Sequence, residues 1–271
     1  MRQGSKSHRV HHLVGRRRPG ALQWSALVAV AALTALGLLV AGCGPSATAV
    51  CSGHPGDFVL IPSTSQTDDQ TSVAMAPEVS RQVVRRAAES CGRVTVGIQD
   101  DHPEADLVLH STTLTPPDAT AFNTEKKVEK LAEEGDEFVE VELLAPLDRT
   151  PATNGSPFLS TLAKVGDEMA AHGWAPGTIV LLGDGLVVER PPGGGKMVRF
   201  GLEPVPVGVV DAFVPELKAL HGSCVILVGA GAGSNMSDDR LRASQEAFAE
   251  TLKAAGVDFV ASRSPDLPDG C

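Results

Sequence analysis

A run of glycines, Gly229-Ala230-Gly231-Ala232-Gly233-Ser234, stands between a strand-like and a helix-like segment. Glycines in such a place could let backbone N–H groups close on a pyrophosphate at a helix N-terminus. Here the last position of the Gly-x-Gly-x-x-Gly pattern holds Ser234, and Asp238 and Asp239 open the following helix. Two carboxylates there repel a pyrophosphate. The loop therefore reads as a close-packing turn, with no cofactor assigned to it. His54, His102, His110, His172 and His221 are scattered without the spacing of a metal site. No Gly-x-Ser-x-Gly elbow occurs to expose a serine nucleophile. No catalytic residue is assigned, and an enzyme is the lesser reading.

The cysteines do carry a pattern. Val40-Ala41-Gly42-Cys43 closes an uncharged, mostly apolar segment from Ala21 to Ala41, which a basic stretch with Arg9 and Arg16 to Arg18 precedes. Basic start, apolar middle and small residues at the cut form an export signal. The last four residues resemble the lipobox of bacterial lipoproteins, whose cysteine is lipid-modified and becomes the first residue. That resemblance implies a signal peptide over residues 1–42 and a lipidated Cys43 on the outer face of the cytoplasmic membrane. The alternative is an uncleaved single-pass anchor, since about 20 apolar residues span a hydrocarbon core. Both place the remainder outside the cytoplasm, where disulfides persist. With Cys43 given to lipid, Cys51, Cys91, Cys224 and Cys271 form an even set of disulfide candidates with three possible pairings.

Composition narrows the partners. Of 23 basic residues, six precede Cys43, which leaves 17 against 33 acidic ones and a net charge of −16. Such a surface repels nucleic acid and anionic headgroups. The absence of tyrosine also removes stacking platforms for bases. Nucleic acid is therefore excluded as a partner.

The elements that must position any site follow from periodicity. Residues 43–56 read as the lipidated cysteine and a small, polar tether, and 57–271 as one domain. Phe58–Ile61, Arg93–Ile98, 105–110, Thr178–Leu182, Cys224–Gly229 and Val257–Ala261 read as strands, mostly continuous apolar runs suited to a buried parallel sheet. Helices are expected from Ala76 to Cys91 with Pro77 in the first turn, over 123–136, from Ser156 to His172, over 209–220 and from Ser237 to Ala255. Phe138–Leu144 alternates like a half-buried strand, although it could continue the preceding helix. Pro191–Lys196 must be a loop. The alternation gives a doubly wound, mostly parallel α/β sheet with helices on both faces, a Rossmann-like plan.

In such a sheet, ligands gather beyond the carboxyl ends of the strands. Three loops fall there: Ser63 to Asp69, Asn154 to Pro157, and Leu182-Gly183-Asp184-Gly185. Their order resembles the von Willebrand factor A (VWA) domain, with its Asp-x-Ser-x-Ser loop, a distant Thr and a later Asp-Gly. The resemblance implies a divalent cation such as Mg²⁺ held by the positions of Ser63, Ser65, Thr67, Ser156 and Asp184. The loop is degenerate, because Ser63 stands where the family has its leading aspartate, and a hard cation wants carboxylates. Without the metal, these hydroxyls and Asp184 cap helices and order loops.

The resemblance implies a membrane-anchored lipoprotein whose VWA-like domain binds another envelope or extracellular protein. The alternative is a divalent-metal- or nucleotide-dependent envelope enzyme.

Overall fold

The computed structural model describes residues 56–64, 69–99, 107–116, 124–150, 156–175, 177–200, 208–232 and 237–269. Cys43, Cys51, Ser65, Thr67 and Cys271 lie outside these residues, as do the expected signal and most of the tether.

The chain forms β1 (Asp57–Pro62), α1 (Asp69–Ser90), β2 (Arg93–Val96), β3 (His110–Thr113) and α2 (Thr124–Val139). A π-helical turn (Glu140–Leu144) and a short α turn (Ala145–Leu147) extend α2. Next come α3 (Phe158–His172), β4 (Thr178–Leu182), β5 (Val188–Glu189), β6 (Val198–Arg199) and α4 (Val209–Phe213). A 3₁₀ turn (Lys218–Leu220), β7 (Cys224–Val228), α5 (Asp238–Ala254) and β8 (Asp258–Ser262) complete it. Six strands make one sheet in the order β3-β2-β1-β4-β7-β8, while β5 and β6 pair separately around the expected Pro191–Lys196 loop. All neighbours in the main sheet are parallel except β2 and β3.

The apolar runs are buried on both faces because a parallel sheet is covered on both sides. Val59, Ile61, Ile179, Leu181, Val225 and Leu227 face α3 and α5. Their alternates Leu60, Val180, Leu182, Ile226 and Val228 face α1, which contributes Val79, Val83, Val84 and Ala87, and α2 with Leu131 and Val139. The fold is the doubly wound α/β sheet that the periodicity predicts.

Four expectations need correction. The segment 138–144 is helical, not a strand. Its Val139 and Leu143, with Leu131, Gly135 and Leu147, are buried at four-residue spacing, which makes one helix face. The third strand lies at His110–Thr113 rather than over 105–110: apolar Leu107 and Leu109 pack on the core from a non-strand connection, and the polar HSTT sequence takes the exposed edge. Helix α1 starts at Asp69, so Pro77 sits inside it and not in its first turn. The helix expected over 209–220 breaks at Pro215 into α4 and the 3₁₀ turn.

The C-terminal segment after β8 runs back along α1 as a strap. Gln82 holds it through both ends of its side-chain amide: Nε2 donates to the Pro265 carbonyl (3.3 Å), and Oε1 accepts from the Leu267 N–H (2.9 Å). The Arg86 guanidinium donates to the carbonyls of Leu267 (2.7 Å) and Pro268 (3.1 Å) and to the Asp269 carboxylate (3.1 Å). Leu267 is buried in the same apolar cluster as Val83, Ile226 and Cys224.

Candidate functional site

Strand order reverses between β1 and β4, so the crevice beyond their carboxyl ends is the default ligand position of this topology. Ser63 extends β1 there. Its N–H donates to the Leu182 carbonyl of β4 (2.8 Å), and it forms an isolated parallel bridge with Gln99, which extends β2. The bridge is closed by the Gln99 N–H donating to the Pro62 carbonyl (3.1 Å). Side chains alternate along a strand, so Ser63 shares the face of Val59 and Ile61. Residues opposite one another in register share a face, which sets Gln99 beside it. The Ser63 hydroxyl lies 3.5 Å from that of Ser156, ahead of α3. Thr64 donates its hydroxyl to the Gln99 carbonyl (2.8 Å).

All four side chains are buried, as is Asp184 at the end of β4. One Asp184 oxygen accepts the Leu186 N–H at 2.8 Å, an Asx turn that orders the following loop. The structure thus brings together Ser63 and Ser156 from the predicted set, and gives Asp184 a loop-ordering contact.

Two residues of this edge escaped the sequence reading. Gln99 is 1% exposed, and neither atom of its side-chain amide meets a hydrogen-bond partner among the described residues. Its only signal was a polar side chain directly after the apolar RVTVGI run. Glu189 is the second. Pro157 precedes α3 and supplies no side-chain cap. Glu189 fills that role from β5: its carboxylate accepts the N–H groups of Leu159 and Ser160, and the Ser160 hydroxyl at 2.8 Å. The Val188 N–H donates to the Ser156 carbonyl (3.2 Å), which fixes β5 against the same loop. Full burial pushes the Glu189 carboxyl up to about 8, against the lowering effect of the Ser160 hydroxyl and the Leu159 and Ser160 N–H groups.

A hard divalent cation needs several oxygen ligands, usually with one or two carboxylates. Among the described residues, this edge offers the Ser63 and Ser156 hydroxyls, the Gln99 amide and the Asp184 carboxylate, one of whose oxygens is committed to Leu186. Glu189 is committed to α3. No group of three or more His, Cys, Asp or Glu among the described residues could hold a metal. These described donors by themselves do not fit a hard divalent cation, and Ser65 and Thr67 lie outside the described residues.

The glycine loop is a packing device over its described part. The N–H groups of Gly229 and Ala230 go to the Ser262 carbonyl, that of Gly231 to Asp184 (2.7 Å) and that of Ala232 to Gly229 (2.8 Å). Gly231 has φ +81°, and a side chain there would overlap Leu241 of α5. These N–H groups are spent on the protein rather than turned toward a phosphate.

No protein-family model and no curated protein matches the sequence. Among solved structures, the chain is similar to the pilus adhesin SpaC from Lactobacillus rhamnosus GG in its open conformation, at 12% identity and a TM-score of 0.41 over 78% of this chain and 28% of that one. It is similar to a mutant of the PilB minor pilin from Streptococcus sanguinis, at 10% identity and a TM-score of 0.42, over 79% of this chain and 58% of the pilin. A third similarity is to the vWF domain of the type V pili tip protein Mfa5 from Porphyromonas gingivalis, at 13% identity and a TM-score of 0.39, over 79% of this chain and 91% of that domain.

Proposed function

We propose that this chain is an exported lipoprotein, anchored through Cys43, whose VWA-like domain holds another envelope or extracellular protein at the carboxyl edge of its sheet. The observation that carries the reading is the reversal of strand order between β1 and β4, beside which Ser63, Gln99 and Ser156 lie together at the Ser63–Asp69 and Asn154–Pro157 loops. These side chains are buried and support the edge, so the partner would be met by the loop residues that follow them, such as Ser65 and Thr67. Such a surface needs no resident metal, and the acidic charge of the outer domain favours a basic or neutral partner. The metal-bound alternative would need ligands beyond this set.

Photo-crosslinking in intact cells tests the site. A photoreactive residue placed at Ser65 or Thr67 should give a discrete adduct, while one at His172, at the far end of α3, should not. Equal labelling at both ends of the domain, or none at the loop, would overturn the reading. The anchor is tested separately by fatty-acid labelling, which Cys43→Ala should abolish.

A further inference from the structure

We propose that Cys224 is bonded to Cys271 and Cys91 to Cys51, so that each end of the outer domain is stapled to the amino-terminal edge of the sheet. Cys224 opens β7 and Cys91 leads into β2, with β1 and β4 between those strands. At roughly 4.8 Å per strand they stand about 14 Å apart, whereas a disulfide needs Cα atoms within about 7 Å. That removes the Cys91–Cys224 pairing and leaves two.

The strap chooses between them. β1 and β2 are parallel, so α1 runs back toward their amino ends, and the strap follows it in the same direction from Pro265 at Gln82 to Asp269 at Arg86. Leu267 enters the apolar cluster that holds Cys224. The described strap ends at Asp269 heading toward the start of β7, and Cys271 is two residues further in sequence. At the other end, the Arg93 N–H donates to the Gly56 carbonyl (3.1 Å), and a side chain on Gly92 would overlap that same oxygen. The chain entering the domain thus lies against Cys91-Gly92, and Cys51 is five residues before Gly56.

Cys91 carries an independent mark. Its φ of +53° is the only positive value of a non-glycine among the described residues. It occupies the left-handed position of a Schellman turn, with Gly92 N–H on the Ala87 carbonyl (2.7 Å) and Cys91 N–H on Ala88 (3.4 Å). Glycine is the favoured residue there, and a covalent tie supplies a reason for cysteine in its place.

Each bridge replaces two S–H bonds by one S–S bond, releasing two protons and two electrons. The electrons pass to a protein disulfide of the oxidising machinery outside the cytoplasm, which becomes a dithiol. The inference rests on the export reading for that oxidant. Non-reducing tryptic mapping of the full-length protein, alkylated on extraction from the envelope, should show Ala219–Arg240 linked to Ser264–Cys271. Ala87–Arg93 should be linked to the peptide that carries Cys51. Cys271→Ser should make Cys224 and not Cys91 alkylatable. Crossed linkages, or release of Cys91 by Cys271→Ser, would overturn the pairing. Refolding in a glutathione couple separates the two ideas: the same linkages formed only there would uphold the pairing and overturn export.

Discussion

Ser63 and Gln99 face one another across a single parallel bridge, three residues beyond Leu60 and Val96, where β1 and β2 stop pairing regularly. The pair joins a serine hydroxyl that reaches Ser156 to an amide that reaches no hydrogen-bond partner among the described residues. A buried amide without partners costs about 1–3 kcal/mol. Gln99→Leu, similar in size and apolar, should raise the free energy of unfolding in urea by about 1 kcal/mol. A loss of stability would show that the amide is bonded in solution.

Glu189 makes stability fall with rising pH. Its folded-state pKa, about 8, lies above the unfolded value, so the native state holds a proton that the unfolded chain has released. The contribution is complete below about pH 4.5 and declines as pH rises toward 8, by at most about 5 kcal/mol. Urea unfolding between pH 5 and 9 should show this slope, and Glu189→Gln should flatten it. A profile unchanged by the substitution would mean that the carboxyl titrates normally.

Glu189→Ala is a different experiment. It strips the acceptors from Leu159, Ser160 and the Ser160 hydroxyl at the start of α3. The cost should be about 3 kcal/mol, several times that of an exposed helix cap. Amide exchange should quicken first in residues 158–162.

Asp184 separates loop order from metal binding. If its task is the Leu186 N–H, Asp184→Asn should be close to neutral and Asp184→Ala should lose about 1 kcal/mol. Melting in EDTA and then in Mg²⁺, Ca²⁺ or Mn²⁺ should give one temperature throughout. A cation at 100 times its dissociation constant would instead add about 2.7 kcal/mol.

The strap should lift from α1 as a unit between β8 and its proposed tie at Cys271. Leu267→Ala leaves a cavity in the cluster of Val83 and Ile226 and should cost about 2–3 kcal/mol. Arg86→Ala removes three contacts of the strap and should speed proteolysis there while leaving the protection of β4 and β7 intact.

The sheet was legible because burial on both faces writes itself as unbroken apolar runs, as in TIVLL and CVILV. The edge strand β3 was not, since an exposed antiparallel edge has no need of apolar residues, and the apolar ADLVLH segment beside it drew the assignment away. In FVEVELL a period of two and a period of four coincide over a few residues, and only the packing of Val139, Leu143 and Leu147 decides between them. At the site, the three loops could be placed by their strand ends. The contribution of Glu189 could not, because it reaches α3 from a two-residue strand 29 and 30 positions away in sequence. A cap supplied from such a distance leaves no local mark.

The position of β1 has a consequence for how the domain comes into being. It is the first strand of the sheet in chain order, yet it lies inside the sheet between β2 and β4. On the proposed export reading, the chain would leave a translocation channel in sequence order, and its FVLI run would emerge with both faces and both edges bare. One edge is covered once β2 follows; the other waits until Thr178, more than a hundred residues later. Through that interval one edge of this apolar strand stays open to pairing with another chain. If the chain is exported as proposed, the rate at which it is threaded through the membrane would then govern how much of it reaches the folded form.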